Sequence, residues 1–318
     1  MEGRIEMEVE NNLKIKVIGI GGGGNNAVTN IIKDKVKNVE TILINTEAKI
    51  LQRAETKNVL QIGLETTKGL GAGADELVGE KSALESENEI RRLLENTDMA
   101  FLTAGMGGGT GTGALPVVAR IAKEMGILTI AIVTRPFTFE GRGRISRAER
   151  GIEKLKDNVN ALIVICNDKL LQTAEPKTTI QESFKLADNV LKQGIQSVTD
   201  IITSVGEINL DFADIQTVLG YNGKGYMGIG KEKGEDAVVK ATKKAIDNPL
   251  TEYQIDNAKG IIFNVTGGEK ALRLNEINTA IGVINDRVDT NADVIFGTVI
   301  DESLGDEVIV TVIATGID

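Results

Sequence analysis

Gly105-Met106-Gly107-Gly108-Gly109-Thr110-Gly111-Thr112-Gly113 is the stretch whose reading decides the fold. It holds six glycines and two threonines. The apolar run Met99 to Ala104 precedes it and predicts a buried strand. Ala114, Leu115, Val117, Val118, Ile121 and Ala122 follow at helical spacing. The glycines therefore occupy a strand-to-helix turn, where a side chain would hold a ligand off the backbone. A helix N-terminus offers unpaired N–H groups and the positive end of a dipole, and both suit an anion. With Thr110 and Thr112 as hydroxyl donors, the segment reads as a phosphate cradle. A flexible linker fits poorly between a buried strand and an amphipathic helix. A Walker A loop is also excluded, because it closes on Gly-Lys-Ser/Thr and the next lysine here is Lys123.

Outward from this loop, strand-like runs alternate with helical ones. Strands are predicted at Leu13–Ile20, Thr41–Asn45, Leu128–Thr134 and Ala161–Cys166, and a helix at Asn25–Lys33. The alternation predicts an α/β fold with a mainly parallel, Rossmann-like sheet covered on both faces. Ligands bind beyond the carboxyl ends of such strands, where the glycines fall. After Pro176 the pattern changes. Thr178 or Thr179 can cap a helix, with Gln181 or Glu182 completing a capping box. Ile180, Phe184, Ala187, Leu191, Ile195, Val198 and Ile202 then predict a helix of about 25 residues, roughly 37 Å long. Gly206 to Tyr226 reads as loop-rich. A second, smaller α/β region follows, with helices near Glu235–Ile246 and Glu276–Val288. Its strands are predicted near Gly260–Val265, Val294–Ile300 and Val308–Ala314.

Composition removes whole classes of chemistry. At 318 residues the length suggests two domains, and no run of 18 apolar residues could span a membrane. The first twelve residues lack an apolar signal core. The single cysteine, Cys166, lies in an apolar run and reads as a structural thiol in a reducing cytoplasm. With no histidine, Ser-His-Asp triads and His-ligated metals are excluded, and a zinc site nearly so. A net charge of −10 argues against a nucleic-acid partner.

Further motifs cluster at the same predicted sheet edge. Gly19-Ile20-Gly21-Gly22-Gly23-Gly24 matches G-x-G-x-x-G after a strand, so a dinucleotide-dependent oxidoreductase is a rival reading, with Glu47 as the ribose acid. That reading leaves the loop at 105–113 and Lys68-Gly69-Leu70-Gly71-Ala72-Gly73 unexplained. Three glycine loops suit a ligand whose several phosphates must be surrounded. Phe137-Thr138-Phe139-Glu140-Gly141-Arg142-Gly143-Arg144 reads either as a solvated loop or as an acid and an arginine addressing a sugar and a phosphate or base. In Asn209-Leu210-Asp211-Phe212-Ala213-Asp214 two carboxylates stand three apart. They are either an N-cap with a first-turn acid, or a pair that polarises water beside a metal-bound phosphate.

Taken together these stretches resemble FtsZ, the tubulin-like GTPase family of prokaryotic cell division. The resemblance rests on GIGGGGNNAV at 19–28, LINTE at 43–47, KGLGAGA at 68–74 and AGMGGGTGTGALPVVA at 104–119. It continues through RPFTFEGRGR at 135–144, CNDKL at 166–170, ADNVLKQGIQSVTDII at 187–202, NLDFADI at 209–215, ADVIFGTVIDE at 292–302 and VIVTVIATG at 308–316. Glu47 replaces the family's usual aspartate, and Asp75-Glu76 a common Asn-Pro.

The resemblance implies a flexible segment at 1–12, a GTP-binding domain at 12–177, a connecting helix at 178–204 and a C-terminal domain at 205–318. It implies that Gly22, Gly23, Gly24, Asn25 and Asn26 line GTP or GDP. Gly108, Gly109, Thr110 and Gly111 hold the α- and β-phosphates, and Gly71, Ala72 and Gly73 lie near the γ-phosphate with Mg2+. Glu140 meets the ribose with Arg144 nearby, and Asn167, Phe184 and Asp188 surround guanine. A carboxylate at Asp188 can accept both N–H groups of guanine, a pair that adenine lacks. Asn209, Asp211 and Asp214 are the implied catalytic residues. Phe184 and Asp188 open the long helix while Asp211 and Asp214 follow its end, roughly 25–35 Å away. Those acids reach a γ-phosphate only on a neighbour stacked head to tail, and such contacts build filaments. The expectation is a cytoplasmic, self-polymerising GTPase at the mid-cell division ring. Family members usually continue into a tail that contacts membrane anchors and division proteins, so those partners are expected beyond Asp318. A non-polymerising nucleotide-binding regulator is the other alternative.

Overall fold

A computed structural model describes residues 13–34, 36, 39–173, 177–203, 211–248 and 250–317. The chain begins with β1 (Ile15–Ile20), α1 (Gly21–Lys33), β2 (Val39–Asn45), α2 (Ala48–Gln52), β3 (Val59–Gln61) and α3 (Leu64–Thr67). It continues with α4 (Glu76–Glu85), α5 (Glu87–Leu94), β4 (Met99–Gly105), α6 (Thr110–Glu124), β5 (Leu128–Arg135) and α7 (Arg142–Lys156). Next come β6 (Ala161–Cys166), α8 (Asn167–Thr173), α9 (Ile180–Thr203) and α10 (Phe212–Leu219). The remainder is β7 (Lys224–Lys233), α11 (Ala237–Ile246), β8 (Gly260–Gly267), α12 (Leu274–Asn285), β9 (Asp293–Ile300) and β10 (Glu307–Ile317).

The strands form one sheet in the order β3-β2-β1-β4-β5-β6-β7-β10-β8-β9. Pairing is parallel from β3 through β7, β10 is antiparallel to both its neighbours, and β9 is parallel to β8. The fold expected from the alternation is therefore present. The two α/β regions are not separate sheets, because Leu162↔Lys224 and Ile163↔Gly225 join β6 to β7.

Every residue of β1 is buried, the burial expected of a parallel strand covered on both faces. One core lies between the parallel sheet and α5, α6 and α7. A second lies on the opposite face beneath α1, α9 and α10, and a third packs β8 and β10 against α11 and α12. On β1 the buried Lys16 sends its ammonium to the carbonyls of Leu93 and Glu95, satisfying the C-terminal end of α5.

The long helix starts as its sequence predicts. Thr179 N–H donates to Glu182 Oε2 at 2.7 Å and Glu182 N–H to Thr179 Oγ1 at 3.3 Å, a reciprocal capping box. Its 24 residues run about 36 Å, packed against α1 and β5. The segment 206–226 differs from the loop expected. Residues 204–210 lie outside the described residues, but Phe212–Leu219 is helical and β7 begins at Lys224. Glycines disguise β7. A Cβ at Gly228 or Gly230 would lie 1.8 Å from a carbonyl oxygen of α11, so these glycines let that helix lie on the strand.

Candidate functional site

The carboxyl ends of β1, β2, β4, β5 and β6 share one edge of the sheet, and the sequence motifs converge there. The sequence places the first helix from Asn25, but α1 begins at Gly21 inside the glycine run. Backbone contact is the reason. A Cβ on Gly24 would sit 2.2 Å from the Thr103 carbonyl oxygen, and one on Gly19 2.3 Å from that of Gly24. At α6, a Cβ on Gly111 would come within 3.2 Å of the Ile20 carbonyl oxygen. One on Gly109 would lie 2.6 Å from that of Gly73 and 2.9 Å from the Ala72 Cβ. The 69–73 loop thus rests on the N-terminus of α6, and that N-terminus on the end of β1.

Three glycines differ. A Cβ at Gly22, Gly73 or Gly108 would meet no atom within 4 Å. They leave bare backbone facing open space close to the N-termini of α1 and α6, a setting that suits phosphate groups. Gly71, with φ +89°, turns the third loop beside the Glu47 carboxylate. Gly23 packs against the Gly105 backbone, and Asn26 is exposed.

Several polar side chains hold the cradle rather than face it. Asn25 is 2% exposed; its Nδ2 donates to the carbonyls of Gly19 (2.7 Å) and Ile44 (3.3 Å), and its Oδ1 accepts from Asn45 Nδ2 (2.6 Å). Its amide thus stitches β1 to β2 instead of pointing at a ligand, as the resemblance implied. Thr112, expected as a free hydroxyl, is buried and accepts the Gly107 N–H at 2.7 Å, while Arg147 Nε donates to the Gly107 carbonyl at 3.0 Å. Thr46 and Asn45 escaped the sequence reading as site supports. Their signal was the LINTE match, whose polar residues end a buried strand.

Beside the phosphate loops lies an aromatic cluster, which forms one side of the candidate base pocket. Phe137 and Phe139 stack at 5.0 Å, and Phe184 of α9 meets Phe137 edge-on at 5.4 Å. Glu140 accepts the Phe137 N–H at 2.8 Å and pairs with Arg144 Nε at 3.0 Å. Arg144 in turn packs against Gly107, which links this pair to the phosphate loop. The Phe137–Arg144 stretch is therefore tied down by these bonds, although five of its eight residues, among them Phe139 and Arg144, are exposed. Asp168, overlooked in the sequence, accepts the Thr138 N–H at 2.9 Å and the Thr138 hydroxyl. Asn167 is buried, and its Oδ1 has no hydrogen-bond partner among the described residues. Asp188 shares the Phe184 face of α9 one turn on, and burial pushes its carboxyl up to about 6. An unpaired acceptor, a desolvated carboxyl and the partly exposed rings of Phe139 and Phe184 fit a planar base rich in N–H donors.

The acids at 211 and 214 stand elsewhere. Asp211 is the N-cap residue of α10 but makes no side-chain capping bond, and Asp214 lies in the first turn. Both are exposed. Asn209 lies outside the described residues. β7 runs parallel to β6 and starts opposite Leu162, so the C-terminal end of α10 leads into the edge where the parallel strands begin. The cradle is at the edge where they end. No group of three or more Asp, Glu or Cys side chains suited to a metal ion occurs among the described residues, and no helix there is long and apolar enough to cross a membrane.

Fold and cradle together define an α/β nucleotide-binding protein whose phosphate loops carry no P-loop lysine. Residues 14–175 match the family model "Tubulin/FtsZ family, GTPase domain", and residues 223–318 match "FtsZ family, C-terminal domain". The chain belongs to the tubulin/FtsZ family of GTPases. Among solved structures it is similar to an empty FtsZ dimer from M. jannaschii, with 40% identity and a TM-score of 0.91 over 96% of this chain and 89% of that one. It also resembles CetZ1 from Haloferax volcanii, a GDP-bound monomer, at 21% identity and a TM-score of 0.84 over 96% and 95% of the two chains. CetZ2 from the same organism, a GTPγS-bound protofilament, matches at 18% identity and 0.83 over 96% and 94%. The CetZ likenesses concern the fold alone.

Proposed function

We propose that this GTPase is an FtsZ-type polymer subunit of cell division, which binds GTP, assembles head to tail and hydrolyses GTP at a site completed by its neighbour. The separation of the cradle from Asp211 and Asp214, at opposite sheet edges with α9 between them, carries this reading. Acids about 30 Å from their own chain's phosphates act only on the next subunit's nucleotide. Repetition of that heterologous contact gives an open filament. Exposed apolar side chains on the cradle's rim, Leu70 (83% exposed), Ile180 (66%) and Phe139 (54%), supply surface for a neighbour to cover.

The backbone at Gly22, Gly73 and Gly108–Gly111 receives the phosphates, with Mg2+ held chiefly by phosphate oxygens and water. Gly71 and Ala72 shape the γ-phosphate side, Glu140 and Arg144 address the ribose, and Asn167, Phe184 and Asp188 read guanine. The neighbour's Asp211 and Asp214, with Asn209, orient the attacking water, a role that needs no histidine. The site of action is the cytoplasm, at the mid-cell division ring, together with membrane-anchor and division proteins.

The test is the GTPase rate per molecule as a function of protein concentration, followed in parallel by GTP-triggered sedimentation. A specific activity that rises with concentration alongside pelleting supports the shared site. A flat specific activity refutes it.

A further inference from the structure

Arg135 ends β5, two residues before Phe137 of the aromatic cluster. Its guanidinium is forked between two acids from different parts of the fold. Nη2 lies 2.9 Å from Glu149 on α7, and Nη1 lies 2.8 Å from Glu252 in the connection between α11 and β8. The side chain is 22% exposed, and Nε is buried without a partner among the described residues. The two carboxylates alone therefore set the plane of the fork.

Residues next to Glu252 grip the other side of the pocket. Thr251 forms an antiparallel bridge with Ile165, and Cys166 N–H donates to the Leu250 carbonyl at 3.1 Å. Lys169 Nζ donates to the Thr251 carbonyl at 2.7 Å. Cys166 and Lys169 bracket Asn167, whose Oδ1 is the buried acceptor without a partner. A three-residue segment belonging to the C-terminal part of the chain thus holds both polypeptide ends from which the base pocket is built. One is the β5 end leading into Phe137, and the other is the β6–α8 junction carrying Asn167.

We propose that Glu252 is a positioning residue for the base pocket, acting through Arg135, so that the placement of the C-terminal part of the chain sets affinity for the guanine ring. The proposal rests on the guanine-nucleotide reading of the site. Glu252 touches no nucleotide in that arrangement. It orients the Arg135 fork, and the fork orients the strand end that presents Phe137 and Phe139. Phe184 packs on those rings one turn before Asp188, the acceptor for the 2-amino group. A mere structural tie predicts something different, namely a stability loss with all ligands affected alike.

The experiment compares wild type, Glu252→Gln, Arg135→Gln and the double variant in the full chain. Each is titrated with GDP and with IDP, whose base lacks the 2-amino group, and each is melted without ligand. In Glu252→Gln we expect GDP affinity to fall about fivefold and the GDP-over-IDP preference to narrow. The substitution should have no further effect in the Arg135→Gln background. Unchanged GDP affinity in Glu252→Gln overturns the proposal. So does a loss equal for GDP and IDP that tracks the melting temperature, or an effect that persists without Arg135. A wild-type protein that binds neither nucleotide instead overturns the guanine-nucleotide reading itself.

Discussion

Thr46 Oγ1 and Thr110 Oγ1 lie 2.6 Å apart, so a single hydroxyl pair ties the end of β2 to the first residue of α6. Thr46 is fully buried. Thr110→Val keeps the shape and strips the partner from a buried hydroxyl, which costs about 1–2 kcal/mol. Thr46→Val should cost a similar amount. In urea unfolding the double variant should lose clearly less than the sum of the two, because the second substitution removes the group left unsatisfied by the first. Additive losses would show that the two hydroxyls do not pair.

Gly24 and Gly22 stand two residues apart in α1 and should respond in opposite ways. A Cβ at Gly24 meets the Thr103 carbonyl oxygen at 2.2 Å, backbone against backbone, so Gly24→Ala should destabilise by about 1–3 kcal/mol or more. Gly22→Ala meets nothing and gains helix propensity of about 0.5–1 kcal/mol. Its methyl group nevertheless projects into the cradle, so its melting temperature should hold or rise while nucleotide affinity falls. Nucleotide binding unchanged in Gly22→Ala would place the phosphates elsewhere.

The Asp188 carboxyl, raised by burial from 3.8 to about 6, carries a sign that can be tested. On the proposed reading guanine requires the Asp188 carboxylate, so binding below about pH 6 must expel a proton. Affinity should weaken as pH falls through that value, and Asp188→Asn should bind weakly at every pH with the slope removed. Ligand-free stability runs the other way. Burial, with Asp301 nearby, also raises Asp200 to about 6. Between about pH 4 and 6 the folded chain therefore holds more protons than the unfolded one, and these two groups stabilise it as pH falls. Nucleotide titrations and melts across pH 5 to 8 check both directions.

Asp211 occupies an N-cap position without making the capping bond. Asp211→Ala should then cost well under the ~1 kcal/mol of a working cap. It should retain nucleotide binding and sedimentable assembly while losing GTP turnover. Loss of nucleotide binding would contradict its assignment to the neighbour's site.

Much of the site was legible because its chemistry is local in sequence. The strand–glycine–helix order at 99–124 predicts a phosphate cradle from backbone sterics alone, and the capping pair Thr179–Glu182 announces the start of α9. Other elements were illegible for one recurring reason: glycine reads as a breaker when its partner is distant. Gly23 and Gly24 are helical with β4 lying against them, and Gly228 and Gly230 are strand with α11 lying against them. Asn25 shows the same limit for side chains. An asparagine after a glycine loop looks like a ligand contact until Ile44 and Asn45 appear beside it.

The sequence by itself determined the α/β class, the glycine loops and the long helix, since each follows from neighbours within about one helical turn or one strand, and its composition excluded histidine chemistry. Tertiary structure alone decided which polar groups hold the backbone, as Asn25 and Thr112 do. It also joined the two α/β regions through Leu162↔Lys224 and Ile163↔Gly225. It led α10 into the edge of the sheet where the parallel strands begin and brought Glu252, 117 residues away, to Arg135. Such relationships depend on strand direction and packing across the sheet, and residues far apart in the chain carry no local signal of who will meet whom.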